Sequence, residues 1–219
     1  MKRWWRLFAV FAVFGVATVV AMGADAAPID ELHAFLAHTA SMRGDFTQRN
    51  PSAGGGRSPA KHLAAPSVTR GSFSFQRPGK FRWVVQQPYA QLIVSDGHTL
   101  YLYDQDLEQV TKKTLAGSLP ASPASILFGS NDFEREFAVT NDGVENGVAW
   151  IRAVPRTKDS AFDRIRIGFR DGVPVAMRLE DQFGQITQLS FDHIQRNPTL
   201  DPALFRFVPP VGVDVLDDR

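Results

Sequence analysis

The stretch Phe73 to Asp104, FSFQRPGKFRWVVQQPYAQLIVSDGHTLYLYD, most narrows what this chain can become. It holds four segments of alternating or apolar residues, and the breaks between them are written in turn chemistry. Arg77-Pro78-Gly79-Lys80 separates Phe73 and Phe75 from Phe81, Trp83 and Val85. Gln87-Pro88 ends the next run, and Asp96-Gly97 divides the run from Gln91 to Ser95 from that of Leu100 to Tyr103. An Asp-Gly pair between strand-like runs is a strong hairpin signal. The spacing predicts an antiparallel meander with large aromatic side chains on one face. The rest of the chain must cover that face or extend the sheet.

The amino terminus reads as an export signal. Lys2, Arg3 and Arg6 precede an apolar run from Leu7 to Met22, and Ala24-Asp25-Ala26 offers the small residues a signal peptidase reads. The alternative is an uncleaved membrane anchor, but the run is short against the roughly 20 residues that span a bilayer. Cleavage after Ala26 leaves residues 27–219 as a single expected domain outside the cytoplasm.

The chain contains no cysteine. Its fold must rest on a hydrophobic core without disulfides, and acylation of an exported protein at a cysteine is excluded. Removing residues 1–26 takes away three of 24 Lys and Arg and one of 23 Asp and Glu, leaving a nearly neutral chain. Nucleic-acid binding, which wants a clustered positive surface, is set aside.

Pro28 to Ser41 is predicted to be a helix, with Pro28 in its first turn, Asp30 and Glu31 at its positive end, and one stripe of Ile29, Leu32, Phe35 and Leu36. A first strand is expected from Met42 to Asn50, and residues 51–67, rich in Gly, Pro and Ser, as a long surface loop. Leu107 to Thr114 is read as a strand. Ser122-Pro123 then opens a short apolar helix through Ile126, Leu127 and Phe128 to Gly129. Further strands follow, with turns expected at Asn141-Asp142-Gly143, at Asn146-Gly147 and at Asp171-Gly172. In Phe162 to Phe169, Ile165, Ile167 and Phe169 alternate with arginines at 164, 166 and 170, which predicts one buried and one wet face. Asp201-Pro202 caps one helical turn, Phe205 to Val208 is read as the last strand, and a polar tail follows Pro209-Pro210. About ten or eleven strands and two or three helices fit one antiparallel sheet, curved into an unclosed barrel and covered by short helices.

Motifs for catalysis are missing. There is no Gly-x-Ser-x-Gly elbow, no His-Glu-x-x-His pair and no Walker loop, and the five histidines lack ligand spacing. No catalytic residue, metal or cofactor is assigned. What stands out is apolar surface. It reads either as an ordinary aromatic core or as a cavity for an apolar ligand.

The order of segments resembles the LolA family, periplasmic carriers of outer-membrane lipoproteins. Carrying the resemblance are Asp45-Phe46-Thr47-Gln48, Arg77-Pro78-Gly79-Lys80-Phe81-Arg82-Trp83, Gln87-Pro88, Leu92 to Gly97, Leu100 to Asp104, Glu108-Gln109-Val110, Ser122-Pro123 and Phe205 to Pro210. The resemblance implies an eleven-stranded half barrel with a helical lid over an apolar cavity, and no enzymatic activity. It implies acylated lipoproteins as cargo, received by a monomer from the inner-membrane transporter LolCDE and handed to the outer-membrane receptor LolB. The cavity is expected to be lined by Phe73, Phe75, Phe81, Trp83, Leu92, Val94, Leu32 and Leu36. Arg77, Pro123, Ile126, Leu127 and Phe128 are expected to form the lid and its latch. LolB shares the fold but is itself a lipoprotein, so the missing cysteine favours the carrier. A lipid- or lipoprotein-sensing half barrel of the cell envelope and an exported hydrolase are the alternatives.

Overall fold

The computed structural model describes residues 27–51, 68–115, 133–157 and 160–218. The expected helix 123–128 and almost all of the loop 51–67 lie outside the described residues. The turns read from the meander join antiparallel neighbours. β2 (Val68–Gln76), β3 (Lys80–Gln87), β4 (Gln91–Asp96), β5 (Thr99–Asp104) and β6 (Gln109–Thr114) pair in sequence order. At the β4–β5 hairpin Asp96 Oδ1 accepts from the backbone N–H groups of both His98 and Thr99, and Gly97 takes φ +99°. Asp-Gly works here because the carboxylate holds the turn while glycine takes the left-handed residue.

α1 (Pro28–His38) begins as the sequence implies. Proline occupies its first turn and Asp30 Oδ2 accepts from Ala27 N at 3.2 Å. It is followed by β1 (Ser41–Arg49). After α2 (Phe133–Glu136) come β7 (Phe137–Glu145), β8 (Val148–Pro155), β9 (Phe162–Arg170), β10 (Val173–Asp181) and β11 (Ile186–Arg196), then a 3-10 turn at Pro202–Phe205 and β12 (Asp214–Asp218). The strands form one twelve-stranded sheet in the order β12-β6-β5-β4-β3-β2-β1-β11-β10-β9-β8-β7. It is a curved, unclosed sheet whose edges are β12 and β7, as the half-barrel reading expects.

β1 is the seam. It pairs with β2 on one side and β11 on the other, so that the chain's first strand joins two runs of consecutive hairpins. Asn197 fastens the seam at one end. Its Oδ1 accepts from Ala40 N at 2.8 Å and Ser41 N at 3.3 Å, while its Nδ2 donates to His38 O at 2.9 Å.

Three expectations need correction. Phe205 to Val208 is not a strand. Asp201 Oδ1 accepts from Ala203 N at 2.8 Å and closes a 3-10 turn, and the segment after it carries two prolines that cannot donate to a ladder. The tail beyond is not loose, because Asp214–Asp218 pairs with β6 in the sheet's one parallel contact among the described residues. Asn141-Asp142-Gly143 is not a turn. β7 runs through it with a shift in register between Asn141 and Val144, and the chain reverses at the other expected turn, Asn146-Gly147. The irregularity frees Asn141 Oδ1 to accept from Ile29 N at 2.9 Å, which ties the helix start to the sheet edge.

Candidate functional site

Residues directly opposite one another in neighbouring strands project to the same face, so register sorts the apolar side chains. On one face, Phe75 lies opposite Phe81, Phe73 opposite Trp83, Trp83 opposite Ile93, and Ser95 opposite Leu100. Across the seam the same face continues through Met42 and Phe46 to Phe191, and on through Leu189, Met177, Ile167 and Ile151. α1 lays Leu32 and Phe35 on it, with Leu36 packed alongside. This is the inner face.

Its centre is aromatic. Phe46 stacks on Trp83 with ring centroids 3.8 Å apart and planes 22° apart, and Phe73 lies 6.1 Å from Trp83 and 5.6 Å from Phe191. Phe46 and Trp83 come from strands separated by β2, and they meet because residue 71 between them is glycine. A Cβ there would fall 2.7 Å from the Phe46 ring and 1.9 Å from Val84 O. The glycine is a requirement of close approach rather than of backbone dihedral.

Arg77 sits at the rim of this surface, just after β2. Its backbone N–H donates to Ala40 O at 2.8 Å and its Nε to Thr39 O at 3.1 Å, at the C-terminal cap of α1. Its guanidinium carbon lies 5.3 Å from the Phe35 ring centroid and 5.2 Å from that of Phe75. Burial lowers its pKa to about 10, so the side chain remains a cation at neutral pH. The aromatic faces and the negative helix end each favour that charge. Thr39 is buried beside it, and its Oγ1 is a buried hydroxyl without a hydrogen-bond partner among the described residues.

The structure brings Phe73, Phe75, Phe81, Trp83, Leu32 and Leu36 together on the inner face, Leu36 packed against the buried cluster that the others form. Leu92 and Val94 do not join them. Val84 is opposite Leu92 and Arg82 opposite Val94, so both point to the other side of the sheet; Ile93, Leu100 and Leu102 take the inner positions. The run Leu92-Ile93-Val94 is apolar throughout, so alternation could not separate its faces. Counting in twos from Trp83 across the hairpin would have done so. On that outer face a second apolar layer forms. The 3-10 turn rests on β3 and β4, Arg82 Nη1 donates to Leu204 O at 3.3 Å, and Phe207 packs 5.4 Å from Tyr101 and 5.6 Å from Tyr103. Burial there holds the Arg82 pKa below its usual value. Pro123, Ile126, Leu127 and Phe128 lie outside the described residues. Phe35, Phe46 and Phe191, which the sequence reading did not assign to the site, are as deeply placed as those it did.

The fold and the site together define a half barrel whose aromatic inner face is buried, with one helix laid over it and a cation at its rim. The chain matches the family model "Outer membrane lipoprotein carrier protein LolA" over residues 37–208. It is 45% identical over 194 residues to an outer-membrane lipoprotein carrier protein of Ralstonia nicotianae, covering 89% of each chain. It is 46% identical over 193 residues to one of Cupriavidus taiwanensis, covering 88% of this chain and 89% of that one. Among solved structures, a LolA superfamily protein of Nitrosomonas europaea superimposes with a TM-score of 0.50 at 10% identity, over 84% of this chain and 99% of the other. The chain belongs to the LolA family, whose members are carriers and not enzymes.

Proposed function

We propose that this protein shelters the acyl chains of lipoproteins against its inner face and carries them through the periplasm to the outer membrane, loading at LolCDE and unloading at LolB. The observation that carries the reading is a continuous, buried aromatic inner face with a partly buried cation at its rim, on a chain of the carrier family. A lipid anchor of about three acyl chains, at roughly 0.8 kcal/mol per CH₂, is held in a membrane by tens of kcal/mol. A carrier must offset most of that and still let go.

Arg77 suits the release step. We assign Phe73, Phe75, Phe81, Trp83, Leu32 and Leu36 to the acyl-binding surface, and the segment Pro123 to Phe128, with Ile126 and Leu127, to a lid that Arg77 latches. Charged hydrogen bonds worth about 1.5–3 kcal/mol each would favour the closed, empty state and so help expel cargo. Loading would then store part of the transporter's work as an opened lid. Arg77→Leu is expected to accept lipoproteins normally and release them poorly; normal hand-over by that variant removes Arg77 from the release step.

The carrier reading is tested with protein purified from the periplasm and spheroplasts that retain newly made lipoproteins. Acylated proteins should appear in the supernatant as a one-to-one complex. With folded protein and competent spheroplasts, an empty supernatant overturns the reading.

A further inference from the structure

The outer face of β8–β10 carries a row of arginines. Arg152 lies directly opposite Arg166, and Arg166 directly opposite Arg178; the row continues through Gln188 on β11 to Arg49 on β1. Like charges on adjacent strands, about 4.8 Å apart, repel unless a counter-charge sits between them. The first pair has one. Asp142 bonds Arg152 through one oxygen and Arg166 through the other, and Glu145 adds a second contact to Arg166 at 2.9 Å. Arg166 is further fixed over the Trp150 ring, 4.7 Å from its centroid. Arg164, one row away, is matched to Glu180 at 3.3 Å.

The second pair lacks its counter-charge. Arg178 has no ion-pair or hydrogen-bond partner among the described residues, although it lines a groove of about 380 Å³ with Arg152, Arg164, Arg166, Asp142, Glu145 and Glu180. Four arginines and three carboxylates leave that groove one positive charge in excess. Ala176 and Ser190, opposite each other in the row beside Arg178, are small. We propose that this face docks an acidic segment of a partner protein, one of whose carboxylates sits between Arg166 and Arg178 as Asp142 sits between Arg152 and Arg166. The resident carboxylates argue for a protein over an anionic bilayer, since they would repel a uniformly negative surface while leaving one defined seat for a single carboxylate. The site lies on the opposite side of the sheet from the acyl-binding surface and does not depend on the carrier reading.

A fluorescein-labelled octaglutamate peptide, followed by fluorescence anisotropy at low salt, serves as the probe for protein purified from the periplasm. Arg178→Gln should weaken its binding on the order of tenfold, Arg178→Lys should restore most of it, and Arg206→Gln on the C-terminal segment should leave it within about twofold. In the unaltered protein the Trp150 indole N–H resonance should shift during the titration. Equal affinity in Arg178→Gln, or loss in Arg178→Lys as severe as in Arg178→Gln, overturns the proposal. So does Arg178-dependent sedimentation with phosphatidylglycerol vesicles in the absence of peptide binding, which would make the site a membrane contact.

Discussion

The two halves of the sheet, joined at β1, use opposite solutions to the same problem. On β2 and β3 the inner face is aromatic, and on β4 and β5 the outer face is apolar as well, roofed by the C-terminal segment through Phe205 and Phe207. From β8 to β11 the inner face is mostly aliphatic, with α1 packed against β7 to β9, and the outer face of β7 to β10 is a wet ladder of ion pairs. Branched aliphatic side chains fill space densely, whereas flat rings stack and leave edges. The two halves are thus closed by different packing, stacked rings on one side of β1 and branched aliphatic side chains on the other, and both inner faces are buried.

One glycine in each half tests this most severely. A Cβ at Gly71 would meet Val84 O at 1.9 Å, a backbone atom that cannot move without breaking the β2–β3 pairing. At Gly168 the nearest atoms are side-chain carbons, Val148 Cγ1 at 2.6 Å and the Trp150 ring at 3.1 Å. Gly71→Ala should cost about 3 kcal/mol or more and Gly168→Ala about 1 kcal/mol, read as denaturation midpoints at unchanged slope. Equal losses would mean that the aromatic half yields as easily as the other.

The seam ranks next. Asn197→Ala removes three hydrogen bonds that join the α1–β1 corner to the end of β11, and it places alanine at φ +55°. A loss of about 2 kcal/mol is expected. Hydrogen exchange should show protection falling in both halves together. Loss confined to β7–β11 would show that the halves open separately.

Phe207 probes the outer roof. It contacts Tyr101 and Tyr103 but is not fully buried, so Phe207→Ala should cost about 1–2 kcal/mol in urea denaturation. No change would show that the aromatic half does not need its second layer.

The sequence displayed these halves unequally. In β9, Ile165, Ile167 and Phe169 alternate with Arg164, Arg166, Gly168 and Arg170, so the apolar face could be read letter by letter. In β4 it could not, because a strand apolar on both faces carries no period, and Leu92 and Val94 were placed on the wrong side. The turn chemistry of Asp96-Gly97 is local and was legible. The bulge that carries Asn141 and Asp142 through β7 was not, because its residues are those of a turn. What holds them in the strand is distant, Ile29 for one and two arginines for the other. β12 was hidden for a related reason. A polar segment whose pairing partner lies over a hundred residues away leaves no mark in its own letters.

The smallest expected effect also lies at the seam. β11 carries one extra residue opposite Gly44, and His193 occupies it at φ +51° with Nδ1 2.8 Å from Asp45 Oδ2. The hydrogen bond to Asp45, helped by the charges of Asp45 and Asp192, raises the His193 pKa above its usual 6.5. A raised value means that the folded chain binds the proton more tightly than the unfolded one. The pair's contribution is therefore complete below pH 6.5 and disappears as pH rises through the elevated value. His193 is exposed, so water and salt screen the pair, and its effect on the melting temperature should be slight. Comparing melting temperatures of the unaltered protein and His193→Asn across this range, with the histidine resonance followed by NMR, isolates it. The two curves should differ on the acid side and merge on the alkaline side. A constant difference would assign His193 to the geometry of the bulge alone, since asparagine also tolerates positive φ but cannot take up the proton.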